Sequence, residues 1–359
     1  MNPLKASIEI KKKIAVLFGG CSTEYEISLQ SAYAVLGSIN RERYEVCPVG
    51  ITRQGKWYLY QGPAVKLPDN TWEQDDACVP CILSPDRSVH GLMVLSSDQC
   101  LPIRIDAVFP VLHGKNGEDG TVQGLAELAG IPIIGCGTLA SALCMDKDLA
   151  HTVVKTAGID VPDSFVLHGR ADMTDALSWA AGRKLPLFIK PSRSGSSIGI
   201  TRVTDTAGLE EAVELAFTYD SKVLIEEGIE GNEVGCAVMG GQELILGETD
   251  EIELQNNVFF GFEEKYHTQT AVTHMPGRYS RETADRIRRT AAIAYRALDC
   301  SGFARVDLFL TPQGRIVFNE VNTIPGFTAH SRFPGMMKGI GLSFEDIIEE
   351  LIAAAVSGI

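Results

Sequence analysis

The first third of the chain alternates apolar runs of strand length with segments of helical periodicity. The runs are KIAVLFGG, YEVCPVGI and IDAVFPVLHG, and the helical segments include ISLQSAYAVLGSI and TVQGLAELAG. This alternation is typical of a parallel sheet flanked by helices, because parallel strands need long crossover connections. The sequence therefore predicts an α/β protein that opens with a parallel sheet.

Paired glycines, Gly19 and Gly20, interrupt the opening segment KIAVLFGGCSTEYEIS. A strand, a glycine turn and a helix also begin dinucleotide-binding units, but the G-x-G-x-x-G spacing is absent. Open sheets bind ligands at the carboxyl ends of their strands. The turn therefore predicts a binding site at this edge of the sheet, but it does not identify the ligand.

A second block begins near Thr138 with LASALCMDKDLAHTVVKTAG, whose helical spacing ends at Gly158. Strand-like SFVLH, LPLFIKP and ITRVT follow. From KVLIEEGIEGNEVGCAVMGGQELILGETDEIEL onward, strands separated by glycine turns indicate a largely antiparallel sheet. RETADRIRRTAAIAYRAL predicts an amphipathic helix, and SFEDIIEELIAAAVSGI predicts a closing helix capped by Ser343 with Asp346 in the box position.

The composition, with 45% apolar residues among 359, is that of a globular chain of two or three domains. The net charge of −14 argues against nucleic-acid or anionic-membrane binding, which needs clustered Lys and Arg. The N-terminus lacks a signal-peptide core, and no segment approaches the ~20 apolar residues of a membrane span. We therefore expect a cytoplasmic protein.

The nine cysteines are dispersed, and most are expected to be small core residues. Cys78 and Cys81 form one C-x-x-C pair. No second pair or suitable histidine pair accompanies it, which argues against a zinc or redox site.

The segment FARVDLFLTPQGRIVFNEVN predicts a hairpin, with Pro312 and Gln313 as the two loop residues. Alternate residues of the two strands would then share one face. They are Arg305, Asp307, Phe318, Glu320 and Asn322. Carboxylate and amide oxygens suit Mg²⁺, which takes substrate phosphates as further ligands. The alternative is a solvated acidic face, and a one-residue bulge would break the shared face.

Other segments strengthen the phosphate interpretation. Lys190 ends an apolar strand and precedes a glycine- and serine-rich loop that can present N–H groups and hydroxyls to phosphate oxygens. Lys147 in MDKDLAH is a second candidate phosphate cation. The alternatives are a flexible surface loop and exposed lysines. The carboxylates that could accept hydrogen bonds from an adenine amine and ribose hydroxyls lie on a later strand and turn. They are Glu226, Glu227 and Glu233.

Two further loops contain candidate site residues. His113 lies in PVLHGKNGEDGTVQG, which fails the calcium-loop spacing and is expected to orient a substrate or to make a structural hydrogen bond. Lys265 and Tyr266 lie in the polar stretch EEKYHTQ.

Taken in order, these segments resemble the D-alanyl-D-alanine ligase family of ATP-grasp enzymes. The matching stretches are FGGCSTEYEIS, HGKNGEDGTVQG, CMDKD, IKPSRSGSSIG, EEKY, GFARVD and FNEVNTIPGFTAHS, which span nearly the whole chain. The resemblance implies an ATP-grasp fold with an N-terminal domain over 1–137, a central subdomain over 138–228 and a C-terminal subdomain over 229–359. The family is commonly dimeric, which implies a homodimer.

The resemblance also implies a role for each matching residue. Glu24 and His113 would hold the first D-alanine, with Glu24 binding its ammonium, and Ser196 and Tyr266 would close the site. ATP would be bound by Lys147, Lys190, Ser196, Ser197, Glu226, Glu227, Glu233 and Lys265. Two magnesium or manganese ions would be held by Asp307, Glu320 and Asn322. The oxyanion would be stabilised by Arg305 and the backbone of Gly326, and Ser331 would bind the second substrate's carboxylate.

The implied reaction passes through an acyl phosphate, formed when the first D-alanine's carboxylate attacks the γ-phosphate of ATP. The second substrate's amine then attacks the acyl carbonyl. Mg²⁺ and lysines neutralise charge in such phosphoryl transfers, and preorganised donors stabilise the later oxyanion.

The second substrate depends on finer features. DEIELQ and NTIPGFTAHSRFPGMMKGIG resemble the vancomycin-resistance ligases, and the HSR triplet with Arg332 resembles the D-alanine:D-serine ligases of the VanG type. Arg332 would be a substrate-binding donor near the second site, where it could bond a serine hydroxyl. D-Lactate ligases share this arginine but depart from the family at EKY, whereas this chain retains Lys265 and Tyr266. D-Serine is therefore the expected second substrate and D-alanine its competitor. The rival classes are a nicotinamide oxidoreductase and a non-catalytic ATP-grasp binding protein.

Overall fold

The computed structural model describes residues 11–96, 99–195, 197–254 and 271–357, in which the strands form three sheets. Seven strands form the first sheet: β1 (Lys12–Gly19), β2 (Tyr44–Ile51), β3 (Trp57–Tyr60), β4 (Cys78–Leu83), β5 (Gly91–Leu95), β6 (Cys100–Arg104) and β7 (Ala107–Pro110). Their order is β6-β5-β4-β3-β2-β1-β7. Helices α1 (Tyr25–Ser38) and α2 (Thr121–Ala129) contribute to the cores on its two faces.

This first sheet is mixed, whereas the sequence predicted a parallel one. Strand β1 pairs in parallel with β2 and with β7, but the pairs from β2 to β6 are antiparallel. The reason is that the described connections between β2 and β6 contain only turns and two 3₁₀ helices, Ala64–Lys66 and Trp72–Gln74, and no crossover helix.

The helical segment that begins at Thr138 is divided in two. Helix α3 (Thr138–Met145) ends at Asp146, which caps α4 (Lys147–Thr156) by accepting a hydrogen bond from Leu149 N at 3.3 Å. Gly158 follows in the left-handed conformation, with φ of 83°, as its place at the end of the predicted helix suggests. The break redirects the chain so that Lys147 begins a new helix.

The second sheet has four antiparallel strands. They are β8 (Ser164–Leu167), β9 (Leu187–Pro191), β10 (Thr201–Val203) and β11 (Val223–Glu227), in the order β10-β9-β11-β8. Helices α5 (Met173–Ala181) and α6 (Leu209–Phe217) pack on it. Two 3₁₀ helices, Arg170–Asp172 and Thr206–Gly208, precede these helices.

The third sheet has five antiparallel strands, in agreement with the largely antiparallel sheet that the sequence predicted. They are β12 (Asn232–Gly240), β13 (Leu244–Leu254), β14 (Ala271–His274), β15 (Phe303–Leu310) and β16 (Ile316–Asn322), in the order β14-β13-β12-β15-β16. The first strand of that prediction, KVLIEE, lies instead in the second sheet as β11. Helix α7 (Arg281–Ala297) packs on this sheet together with α3 and α4. The domain boundaries at 137/138 and 228/229 stay a prediction.

Two helices close the chain, α8 (Arg332–Lys338) and α9 (Phe344–Ser357). The predicted capping box is present, since Asp346 N donates to Ser343 Oγ at 3.1 Å and Ser343 N donates to Asp346 Oδ2 at 2.9 Å. Within the described ranges, no helix combines the length and apolar character needed to cross a bilayer.

The hairpin of β15 and β16 has a longer turn than predicted. Gly314 N donates to Thr311 O at 2.8 Å, and Thr311 N donates to Arg315 O at 3.0 Å. Three residues therefore form the loop instead of Pro312 and Gln313 alone. Gly314, with φ of 79°, supplies the left-handed conformation that such a loop requires.

A bulge at Asn319 compensates for this longer turn. The bulge shifts the register by one residue between Asp307 and Leu308. The longer turn also shifts it by one residue, and the two shifts together restore the predicted shared face. Asp307 therefore lies opposite Glu320, and the pair of Arg305 with Asn322 lies on the same face. Phe318 pairs with Leu308 and is fully buried, so its predicted place beside Glu320 was wrong.

A shared core joins the first sheet to the end of the chain. Phe109 of β7 packs edge-on against Phe303 and Phe327 at ring-centroid distances of 6.2 and 5.9 Å. The same core includes buried residues of α8 and α9. It therefore holds the carboxyl edge of the first sheet against the loop that follows β16.

Candidate active site

A cavity of about 640 Å³ lies between the second and third sheets. Its volume is in the range of small-molecule sites. Seven residues singled out in the sequence line it: Lys147, Lys190, Ser197, Glu226, Glu227, Glu233 and Glu320. The structure therefore brings together residues from five separate segments of the chain, and their individual roles stay predictions.

Lys190 and Glu226 form a buried ion pair in this cavity. They lie on the neighbouring strands β9 and β11, and Lys190 Nζ is 2.5 Å from Glu226 Oε2. The charges offset each other's loss of solvation, which neither side chain could bear alone in so buried a position. Glu227 takes a different direction and accepts a hydrogen bond from Asp163 N at 3.1 Å.

Lys147 connects the serine-rich loop with the hairpin. Its Nζ donates to Ser194 O at 2.8 Å and is 3.3 Å from Glu320 Oε2. The helix break at Asp146 makes this possible, because Lys147 is the first residue of α4 and its side chain can enter the cavity. Its predicted alternative, an exposed helical lysine, is wrong, since only 6% of it is exposed.

Arg305 and Asp307 form the buried centre of the hairpin face. Arg305 Nε donates to Asp307 Oδ1 at 2.8 Å and Nη2 donates to Oδ2 at 2.7 Å, while Asn322 Nδ2 donates to Oδ2 at 2.8 Å. Burial alone would raise the pKa of Asp307, but the positive charges of Arg305 and Arg332 outweigh it and lower that pKa. Asp307 therefore stays ionised.

Arg332 lies among three carboxylates. Its Nε and Nη2 donate to Asp250 at 2.6 and 2.9 Å, and Nη1 donates to Glu233 Oε1 at 2.9 Å. Its Nη2 is also 3.3 Å from Asp307 Oδ1. The donor that we expected beside the second substrate thus already binds protein carboxylates. Asp250, fully buried, was not singled out in the sequence, where DEIELQ gave no sign of a partner.

Glu24 lies at a second part of the site, beyond the hairpin face. Its carboxylate approaches the backbone of two loops, since a methyl group added at Gly114 or Gly195 would lie 2.6 or 2.9 Å from Glu24 Oε2. Gly195 directly precedes Ser196, which is outside the described residues. A methyl group at either position would require the Glu24 carboxylate to shift.

His113 is buried beside Glu24 and has a partner on each ring nitrogen. Its Nδ1 is 2.8 Å from Ile324 O, and its Nε2 is 3.1 Å from Ser31 Oγ. The carbonyl can only accept, so Nδ1 carries the proton and Nε2 accepts from the hydroxyl. Burial lowers the pKa of His113, although the charge of Glu24 opposes this. His113 is therefore a neutral residue that links α1 to the loop after β16.

Glu118 is a site residue that the sequence reasoning did not single out. It accepts hydrogen bonds from Gly114 N at 2.7 Å and from Ile324 N at 3.1 Å. Burial and the nearby charge of Glu24 raise the pKa of Glu118 to about 8. The sequence signal was the presence of two adjacent acidic residues, Glu118 and Asp119, in HGKNGEDG.

The remaining predicted residues lie at the edges of this site or outside the described part. A methyl group at Gly326 would lie 3.1 Å from Ser331 Oγ, so the structure places these two residues together. Ser331 Oγ also accepts from Thr328 N at 3.0 Å. Ser196, Lys265 and Tyr266 lie outside the described residues.

Two family models match the chain that forms this cavity, the hairpin face and the acidic pair of Glu24 and Glu118. One family model, D-ala D-ala ligase N-terminus, matches residues 13–136, and another, D-ala D-ala ligase C-terminus, matches residues 153–353. The chain belongs to the D-alanine–D-alanine ligase family.

Individual members of this family are similar over nearly their whole length. The chain is 44% identical over 350 residues to the vancomycin/teicoplanin A-type resistance protein VanA of Enterococcus faecium, covering 96% of this chain and 99% of that protein. It is 42% identical over 352 residues to the D-alanine–D-alanine ligase of Caldicellulosiruptor bescii, covering 96% and 95%. Its structure is similar to that of the VanG D-Ala:D-Ser ligase from Enterococcus faecalis, with a TM-score of 0.89, 54% identity and coverage of 96% and 99%.

Membership of this family confirms the predicted fold class and enzyme class. The protein is a ligase of the D-alanine–D-alanine ligase family, whose members are ATP-dependent and act on D-amino acids such as D-alanine. The nicotinamide oxidoreductase and the non-catalytic binding protein are thereby set aside.

Proposed function

We propose that the protein joins D-alanine to D-serine at the expense of ATP. The observation that carries this proposal is the 54% identity to the VanG D-Ala:D-Ser ligase over 96% of the chain. The second candidate is a housekeeping D-alanine–D-alanine ligase, which the 42% identity to the C. bescii enzyme favours. Retention of Lys265 and Tyr266 in EEKY favours an amine nucleophile over D-lactate.

The cavity between the second and third sheets would bind ATP. Lys147 and Lys190, with the loop that contains Ser196 and Ser197, lie where they could bind the phosphates, and Lys265 would join them. The nucleoside end would be held by Glu226, Glu227 and Glu233. The cavity is large enough for a nucleotide. Lys190, Glu226 and Glu227 come from the second sheet, and Glu233 and Glu320 come from the third.

The hairpin face would hold two magnesium or manganese ions through Asp307, Glu320 and Asn322. Among the described residues, no group of three or more His, Cys, Asp or Glu side chains is arranged to hold a metal ion alone. The oxygen donors nevertheless suit Mg²⁺, which needs few protein carboxylates when phosphate oxygens and water complete its shell. When bound, the metal supplies positive charge to the phosphates.

The first half of the reaction would activate D-alanine. Glu24 binds the ammonium, and His113, fixed by Ser31 and Ile324, keeps the surrounding loop in place. The carboxylate oxygen of D-alanine attacks the γ-phosphorus of ATP, an O–P bond forms, and ADP departs with the electrons of the broken bond. Lys147 and Lys190 neutralise phosphate charge during this transfer.

The second half would form the amide. The amine of the second amino acid attacks the acyl carbonyl, and the tetrahedral intermediate expels phosphate. Arg305 and the N–H of Gly326 would donate to its oxyanion, and Ser331 would bind the second carboxylate. Arg332 would act through the carboxylates of Asp250 and Glu233, whose arrangement it fixes. Ser196 and Tyr266 would help to exclude water from the acyl phosphate.

We also propose that the protein works as a cytoplasmic homodimer. Light scattering of the purified chain tests the assembly, and a monomeric mass at micromolar concentration would contradict it.

Phosphate release with D-alanine alone, compared with release when D-serine is added, tests the proposed function. We expect D-serine to increase the rate at neutral pH. An unchanged rate would favour the housekeeping alternative, and no ATP turnover with either amino acid would contradict both.

A further inference from the structure

His151 is a buried histidine at this site that the proposed reaction does not use. It lies four residues after Lys147 on α4, on the same face of the helix, and is only 4% exposed. Its ring packs edge-on against Phe318, with ring centroids 5.6 Å apart. Because buried polar groups are normally hydrogen-bonded, the groups next to its two nitrogens indicate what it holds in place.

The first partner is the bulge in β16. His151 Nε2 is 2.9 Å from Asn319 O, and since a carbonyl only accepts, Nε2 carries the proton. Asn319 is the extra residue of the bulge, which lies outside the regular ladder pairs. The hydrogen bond therefore stabilises the backbone irregularity that turns Phe318 into the core and Glu320 toward the site.

The second neighbour is the carboxylate of Glu226. His151 Nδ1 is 3.7 Å from Glu226 Oε1, and in the part of the chain that the structure describes neither atom has a hydrogen-bond partner. The other oxygen of Glu226 is bound by Lys190. Because Nε2 carries the proton, Nδ1 is an acceptor like Glu226 Oε1, so the ring lies beside this carboxylate oxygen without forming a hydrogen bond to it.

We infer that His151 is a positioning residue for the nucleotide, because one rigid ring contacts both the Asn319 bulge and Glu226. Its hydrogen bond to Asn319 O holds the bulge that directs Glu320 to the phosphate end, and its ring packs beside the Glu226 carboxylate at the nucleoside end. This inference rests on the proposed binding of ATP in the cavity between the second and third sheets. Among the described residues, His151 contacts Asn319, Phe318 and Glu226 and not Glu24. Its loss should therefore weaken nucleotide binding without weakening D-alanine binding.

The test compares His151→Leu, His151→Gln and, as a control, His168→Gln at an exposed position after β8. Titration calorimetry with ADP gives the affinity in the absence of turnover, and steady-state kinetics give KM for ATP and for D-alanine. We expect His151→Leu to weaken ADP binding and raise KM for ATP by about tenfold, as for loss of a buried hydrogen bond. KM for D-alanine should change by less than about twofold, the effect expected when no contact to that substrate is lost.

The glutamine variant tests the Asn319 contact, because its amide nitrogen can still donate to that carbonyl. Its ADP affinity should return to within about threefold of wild type, since the hydrogen bond is kept. ADP binding as tight as wild type in His151→Leu, or a glutamine variant no better than leucine, would overturn the inference. Should His151→Leu fail to fold, His151→Asn, too short to reach Asn319, carries the same expectation. If wild-type protein binds no ADP, the proposed function itself fails, which is a separate outcome.

Discussion

Lys190 and Glu226 are paired at 2.5 Å between neighbouring strands, with only 8% and 4% of their side chains exposed. The pair stands at the wall of the cavity that we assign to ATP. Removing one partner of such a pair leaves the other charge buried and uncompensated, whereas removing both does not. The local stability of the second sheet and nucleotide binding should therefore depend on the same two side chains.

Lys190→Met should lower the free energy of unfolding by about 3 to 5 kcal/mol, the usual result of breaking a buried pair. The double variant Lys190→Met/Glu226→Leu should recover most of this loss, because no buried charge remains. Urea unfolding followed by circular dichroism measures both. A double variant as unstable as the single one would show that the pair is not what stabilises this sheet.

Glu320→Gln should lower the rate of phosphate release by about 10²- to 10³-fold, the usual effect of removing one charge-stabilising group. The substitution is isosteric and Glu320 is 21% exposed, so the fold should persist. Glu345→Gln in α9, distant from the cavity, is the matched control. A Glu320→Gln variant with wild-type rate would remove the hairpin face from the mechanism.

Gly195→Ala should raise KM for the first D-alanine. The added methyl would lie 2.9 Å from Glu24 Oε2 and would displace the carboxylate that we assign to the ammonium. Because the methyl meets the movable end of a side chain, the cost is at the low end of overpacking, about 1 kcal/mol, which corresponds to about fivefold in KM. Gly208→Ala, where a methyl meets nothing within 4 Å, is the control. Equal KM values in the two variants would contradict this position for Glu24.

Glu118→Gln should flatten the dependence of stability on pH. The pKa of Glu118 is raised to about 8 in the folded protein, so its stabilising contribution is complete below the ordinary pKa of 4.5 and is lost as pH rises through 8. Between pH 6 and 9, wild-type Tm should therefore fall more steeply than that of the variant. Parallel curves from differential scanning calorimetry would mean that Glu118 is not held in its neutral form.

The sequence predicted much of this architecture because each signal was local. Helix α7, the capping box of Ser343 and Asp346, and the antiparallel third sheet follow from periodicity, caps and glycine turns over short windows. The first sheet was predicted less well, since periodicity cannot distinguish a parallel strand from a short antiparallel one. The hairpin face was predicted only because a longer turn and the bulge at Asn319 cancel each other.

The contacts between distant parts of the chain could not be predicted. Asp250 accepts a hydrogen bond from Arg332, 82 residues away, and Glu118 accepts one from Ile324 N, 206 residues away. His151 likewise depends on a carbonyl 168 residues along the chain. A residue of ordinary type in a strand or loop carries no local sign of such partners, whereas Lys190 and Glu226 stood out because charge interrupts an apolar strand.

The central claim is tested most directly by incubating the protein with ATP, Mg²⁺ and equal concentrations of D-alanine and D-serine, and by quantifying the products by mass spectrometry. We predict D-alanyl-D-serine as the main dipeptide, formed with one ADP per peptide bond. Exclusive formation of D-alanyl-D-alanine would contradict the second-substrate assignment, and ADP formation without any dipeptide would contradict the ligase mechanism derived for this site.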